Sequence, residues 1–203
     1  MSIDTLTLVG GNLALDFMNT VGDHLAAQPG EWLKTYNDLV EWGLRAGAVT
    51  RDEGDDLLRM GAEQPTAAEA ALAKAHETRE AVYRLFLSAI RQEQPNADDL
   101  RALNHALADA PARTELGYAD GKYGWRVSAT RSLDVVTWRA LWAAADLLAS
   151  DQLDQVKVCE GDECGWVFLD TSRNRARRWC SMSDCGNRAK ANRYYRRHKG
   201  SKG

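Results

Sequence analysis

Apolar residues recur at helical spacing over most of the chain. Tyr36, Leu39, Val40, Trp42 and Leu44 mark a helix over 36–46 that stops near Gly47. Thr50 with Glu53, and Thr66 with Glu69, match the capping box, in which the two side chains satisfy free amides at a helix start, so helices are expected to begin at both. The second is long: Leu72, Ala75, Val82, Leu85, Phe86 and Ala89 line one side, and Pro95 is expected to end it. Asn96 can cap a further helix running through Leu100, Leu103 and Leu107 to about Pro111, and Leu133 to Leu148 forms a strongly apolar helix that should cross the core. Strand signals are few. Leu6 to Val9 is a short candidate stopped by Gly10 and Gly11, with a short helix following from Leu13. Alternation on either side of Asp120-Gly121 predicts a hairpin within 115–127, because this dipeptide accommodates positive φ. Trp166 to Asp170 suits another strand, and the Ala-, Arg- and Lys-rich run 185–198 predicts a terminal helix. The pattern gives an α+β chain: a mainly helical domain with a small sheet over 1–154, then a small module over 155–203. Between Ser150 and Cys159 there is no proline, glycine or low-complexity tract, so the module is expected to dock closely on the domain.

Charge divides the chain in the same place. The formal net charge is −3, but residues 1–154 hold 14 Lys and Arg against 24 Asp and Glu, whereas residues 155–203 hold 12 against 5. From Thr171 onward the only acid is Asp184. Lys190, Arg193, Arg196 and Arg197 fall within about 120° of one another on the terminal helix, with Arg188 roughly opposite. Arg173, Arg175, Arg177 and Arg178 form a second cluster. Basic residues near a helix C-terminus complement its dipole, but that needs two or three cations, and like charge at this density repels itself. A polyanion relieves the repulsion. Arginine outnumbers lysine, which favours bidentate contacts to phosphate and guanine, so DNA is the expected partner; Tyr194 and Tyr195 could stack on unpaired bases, which leaves RNA as the alternative, and an acidic protein is a third. Trp179 reads as core.

All four cysteines lie in the basic module, as Cys159 and Cys164, then Cys180 and Cys185. Two short-spaced pairs joined by a loop of this length can close four thiolates into one tetrahedron around a zinc ion, with no open position, so one structural metal is expected. Two disulfides or an iron–sulfur cluster are the rival readings. No basic and apolar leader begins the sequence, and four cysteines are sparse for a stapled secreted module, which predicts a reducing cytoplasm. No stretch approaches the ~20 apolar residues of a membrane span. The order of knuckle, hairpin and ligand-bearing helix is that of a treble-clef-like zinc finger. Glu160, Asp162 and Glu163 inside the first pair do not suit phosphate contact, so this knuckle is expected to face away from DNA.

Cys185-Gly186-Asn187-Arg188, with Trp166, Phe168, Asp170 and Ser172 and with Arg178, Trp179, Cys180 and Met182, resembles the CGNR zinc finger. Gly10-Gly11-Asn12-Leu13-Ala14-Leu15-Asp16-Phe17-Met18-Asn19-Thr20 is similar to the opening motif of the ABATE domain, the usual companion of that finger in bacterial proteins proposed to be stress-responsive transcription regulators. The resemblance implies a cytoplasmic regulator whose finger binds DNA and whose larger domain senses a ligand or mediates dimerisation.

In the larger domain Asp16, Asn19 and Thr20 are the best candidates for a polar ligand site, since Asp16 lies beside both others on a helix; capping and buried hydrogen bonds explain such residues equally well. His24, His76, His105 and His198 are scattered. Without a histidine pair at ligand spacing, a nucleophile elbow or a phosphate-cradling loop, the sequence offers no catalytic constellation, and no enzymatic activity is expected.

Overall fold

Seven α-helices run through the residues that the computed structural model describes: 1–112, 115–119, 122–126 and 131–199, with backbone alone at 115, 119, 122, 126 and 196–199. They are α1 (Leu13–Met18), α2 (Tyr36–Arg45), α3 (Arg51–Glu63), α4 (Pro65–Ile90), α5 (Ala97–Ala108), α6 (Val135–Leu148) and α7 (Asn187–Lys199). Three two-stranded antiparallel ladders accompany them: β1 (Val21–Gly22) with β2 (Gly30–Glu31), β3 (Glu115–Ala119) with β4 (Lys122–Arg126), and β5 (Val156–Val158) with β6 (Val167–Leu169). No helix among the described residues is long and apolar enough to cross a membrane.

Helix starts follow local chemistry. Thr50 and Glu53 form their capping box, and Glu53 also receives Arg139 of α6 at 2.6 and 2.8 Å, which ties α3 to the central helix. A further box, Thr35 with Asp38, opens α2, and Asn96 caps α5. At Thr66 the structure differs from expectation. Gln64 alone separates α3 from α4, and Pro65, with fixed φ and no amide to leave unpaired, takes the first helical position. Thr66 is therefore already helical and cannot cap. The far end of α4 also differs: the helix stops at Ile90 rather than Pro95, because Gln92 turns into positive φ.

Residues 6–9 form no strand. Leu6 is extended, but the carbonyls at the two ends of the segment go to arginine side chains and not to a ladder: Arg45 donates to Leu6, and Arg177 to Val9. The hairpin is present as β3 and β4, paired from Glu115 with Arg126 to Ala119 with Lys122; its Asp120-Gly121 turn lies outside the described residues.

One apolar core contains Phe17, Leu39, Trp42, Leu57 and Val136, between α1, α2, α3 and α6. A second contains Leu15, Met18, Phe86, Leu103 and Leu141 and continues without a break into Val156, Val167 and Leu169 of the small module. The module is thus fused to the domain by a shared core. Buried Arg79 of α4 braces the seam from below, donating to Thr20 at 2.8 Å and forking onto Glu31 at 2.9 and 2.6 Å. Paired so closely, its charge is tolerated inside.

Candidate metal centre and nucleic-acid interface

β5 leads into Cys159, the chain turns through Cys164, and β6 returns antiparallel, so the first knuckle sits at the tip of the β5–β6 hairpin and does not precede it. A loop then carries Cys180, and a π turn over Met182–Gly186 places Cys185 at the entrance of α7. The four cysteines are buried, their sulfurs all lie within 4.8 Å of one another, and none is in a disulfide. Cys164 and Cys180 Sγ are 3.8 Å apart and Cys180 and Cys185 Sγ 3.6 Å. A tetrahedron with zinc–sulfur bonds of ~2.3 Å has edges of about 3.8 Å, whereas a disulfide needs ~2.05 Å. The donor set fits zinc.

Backbone amides feed this shell. The amides of Gly161 and Cys180 donate to Cys159 Sγ at 3.4 and 3.2 Å, bonds that favour the thiolate a metal needs. A Cβ at Gly161 would stand 3.0 Å from Cys185 Sγ and 3.4 Å from Cys159 Sγ, so the knuckle needs glycine there. Arg188 completes the surroundings: its Nη2 donates to Cys185 Sγ at 3.1 Å and its Nε pairs with Asp184 at 3.2 Å. The Cys185 sulfur, more than any carboxylate, holds the guanidinium protonated. Four thiolates around a divalent ion leave a double negative charge, and Arg188 offsets part of it.

The predicted cations separate into two groups. Arg177 is half-buried, its guanidinium 4.2 Å from the Phe168 ring and hydrogen-bonded to the carbonyls of Val9, Trp179 and Cys180. Arg178 pairs with Glu160 and lies 5.1 Å over the Trp179 ring, while Trp179 itself packs on the cysteine cluster. Arg188 faces the metal shell. By contrast, Arg173, Arg175, Lys190 and Arg193 are exposed and make no ion pair with described residues. The side chains of Arg196 and Arg197 lie outside the described residues; their backbone continues α7. Asn192 donates to Asp162 at 2.9 Å, which sets the acidic knuckle against one flank of α7. At 100° per residue Arg193 stands about 100° and Lys190 about 160° from that flank.

Sequence reading missed the residue that shapes the basic loop. Asp170 is fully buried and accepts from Lys157 Nζ at 2.7 Å, Ser172 N at 3.0 Å, Ser172 Oγ at 2.5 Å and Arg177 N at 3.0 Å. Burial alone would raise its pKa, but these donors outweigh it and hold the carboxyl well below the usual range. The spacing of Asp170 and Ser172, an Asx-type turn signal, was the available clue.

Asp16, Asn19 and Thr20 are spent on internal bonds. Asp16 accepts the Gly10 amide at 2.8 Å, and burial raises its pKa to about 6 against that bond. Asn19 is buried and clasps Val167 of β6, donating to its carbonyl at 2.8 Å and accepting its amide at 2.9 Å. Thr20 donates to Phe17 and accepts from Arg79. More bonds cross the same seam: Leu169 N to Gly10 O at 2.8 Å, Trp166 Nε1 to Val21 O at 2.6 Å, His24 N to Cys164 O at 2.9 Å and Tyr83 Oη to Gly165 O at 2.8 Å. Gly165 has φ +65° and meets His24, Leu25 and Tyr83 within 3.0 Å of where a Cβ would sit. On the other side of the seam a cleft of about 250 Å³ opens between Thr7, Trp32, Trp166, Ser181, Asp184 and Arg188; it contains none of the three.

Comparison with family models matches residues 155–198 to the CGNR zinc finger and residues 11–151 to ABATE, described as "Putative stress-induced transcription regulator". No curated protein matches the chain.

Proposed function

The chain belongs to the ABATE family and ends in a CGNR zinc finger, and from that premise we propose that it is a cytoplasmic bacterial transcription regulator, without catalytic activity of its own, that binds duplex DNA through the outer face of the finger. Arg173 and Arg175 on the loop and Lys190 and Arg193 on α7 make the contact, with Arg196 and Arg197 extending it along the helix. One observation carries this reading: these four described cations are exposed and unpaired with described residues, while Lys157, Arg178 and Arg188 are each neutralised by an acid. A surface on which neighbouring cations are paired with acids while these four keep their full charge is suited to meet phosphate. Zinc fixes the distance between loop and helix, and Asp170 fixes the shape of the loop. The larger domain pairs two chains for a two-fold site, and an effector in the cleft between Trp32 and Arg188 would act on both domain and finger.

The test is fluorescence anisotropy of the zinc-loaded protein with a 30-base-pair duplex, the matching single strand and an RNA of the same sequence, over a salt series. Changing Arg173, Arg175, Lys190 and Arg193 together to Ala should weaken duplex binding and reduce the slope of log K against log salt by roughly 3 to 4, at ~0.9 per lost phosphate contact. Changing Arg178 to Ala should leave that slope nearly unchanged. A preference for the single strand or RNA, with Tyr194→Ala and Tyr195→Ala more damaging than the cation changes, would replace the duplex reading.

A further inference from the structure

We propose that the outward face of the β3–β4 hairpin is the surface on which two copies of this chain pair. Leu116, Tyr118, Tyr123 and Trp125 are 57%, 60%, 76% and 55% exposed. The register sets Leu116 opposite Trp125 and Tyr118 opposite Tyr123, and the alternation of a strand puts all four on one face. The tyrosine rings touch, with centroids 4.8 Å apart. Between them the register pairs Gly117 with Gly124. A hairpin that served its own core would turn its bulky face inward; this one turns it to solvent.

The occupant follows from three properties. A two-stranded ribbon with four large side chains more than half exposed is marginal by itself and gains most from a matching apolar face. At roughly 150–250 Å² per aromatic side chain, the face offers on the order of 500 Å² per copy. Two such faces bury about 1,000 Å², the lower bound for a specific interface. The segment 115–126 holds two acids, Glu115 and Asp120, and two bases, Lys122 and Arg126, so it has no net charge to draw a polyanion. A self-complementary apolar face on a two-fold axis meets the same residues on its partner. This inference rests on the pairing part of the proposed function and is independent of which residues touch DNA.

Sedimentation velocity of the full zinc-loaded chain tests it. The 22.5 kDa chain should shift toward twice that mass between about 1 and 100 μM, in the range expected for an interface of this size. The double variant Tyr123→Ser, Trp125→Ser should stay monomeric at 100 μM while keeping wild-type helical circular dichroism and zinc content. Tyr118→Cys should form an intermolecular disulfide under mild oxidation with the other cysteines held by zinc. A wild-type chain that remains monomeric at 100 μM, or a double variant that dimerises as well as wild type, overturns the proposal. So does a monomeric wild type whose Trp125 fluorescence is quenched by single-stranded DNA, which would assign the face to bases. DNA binding by a monomer would remove the pairing surface and leave the cation assignment standing.

Discussion

Replacing Asn19 with Ala should unfasten the finger from the domain. Asn19 supplies both partners of the Val167 backbone, whose amide and carbonyl point away from β5 toward α1, and Val167 itself is wholly buried. Truncation leaves one donor and one acceptor where water has little access. At about 1–3 kcal/mol for each unsatisfied buried group, the loss is roughly 2–6 kcal/mol. For a domain of 150–250 residues a loss of 1 kcal/mol lowers Tm by about 2–4 °C, so a decrease of roughly 4–24 °C is expected. Asn19→Asp keeps the acceptor and sets a carboxylate against the Val167 carbonyl, so it should cost at least as much at neutral pH. The measurement is urea unfolding followed by tryptophan fluorescence at fixed free zinc, with amide exchange at Val167 as the local probe. An Asn19→Ala protein within ~0.5 kcal/mol of wild type, with the Val167 amide still protected, would show that the clasp contributes nothing and that the seam is held by apolar burial alone.

Arg188→Ala should lower zinc affinity by about 10–100-fold in a chelator competition, the range for loss of a group supporting metal ligands, and Arg188→Lys should recover only part of it because the fork is lost. Asp16 carries a stability dependence of opposite sign to most carboxylates. Its folded pKa of about 6 lies above the unfolded value near 4, so its stabilising protonation is complete below pH 4 and lost as pH rises through 6. Asp16→Asn, which retains an acceptor for Gly10, should therefore be more stable than wild type at pH 7 by up to ~3 kcal/mol, with the gap closing toward pH 4; equal stability at pH 7 would refute this. Zinc removal by chelation should abolish duplex binding while helical circular dichroism from α2 to α6 persists, and should raise amide exchange at His24 and Leu25, whose amides bond to the knuckle carbonyls of Cys164 and Glu163.

The helices were legible because each carries a continuous periodic stripe or a capping pair, signals that local chemistry sets. The cysteine cluster was legible for a related reason: ligand spacing along the chain predicts closure in space. What failed was decided at a distance. Leu6 to Val9 has the composition of a strand, but Arg45 and Arg177, remote in sequence, claim the carbonyls at its two ends. Thr66 has a capping sequence, but the one-residue link to α3 moves the helix start to Pro65. At Asp16, Asn19 and Thr20 the sequence left a ligand site and buried hydrogen bonds equally open, because polar residues after a glycine turn look alike in both; the structure shows the bonds. Nine basic residues were expected at the interface, and the partners around Arg177, Arg178 and Arg188 set these three apart from Arg173, Arg175, Lys190 and Arg193.

β6 is bordered on one side by β5 and on the other by Asn19 and Gly10, so part of the larger domain completes the finger as a surrogate third strand. A finger excised at residue 155 would keep its cysteines but expose a bare sheet edge and the apolar faces of Val167 and Leu169. Such a fragment is a candidate for edge-to-edge association, and a binding assay on it would report that association as well as DNA affinity. Transplanting this finger into another protein means carrying residues 9–25 along with it. The two modules are thus units of description, while the bonds that complete the finger's sheet come from both.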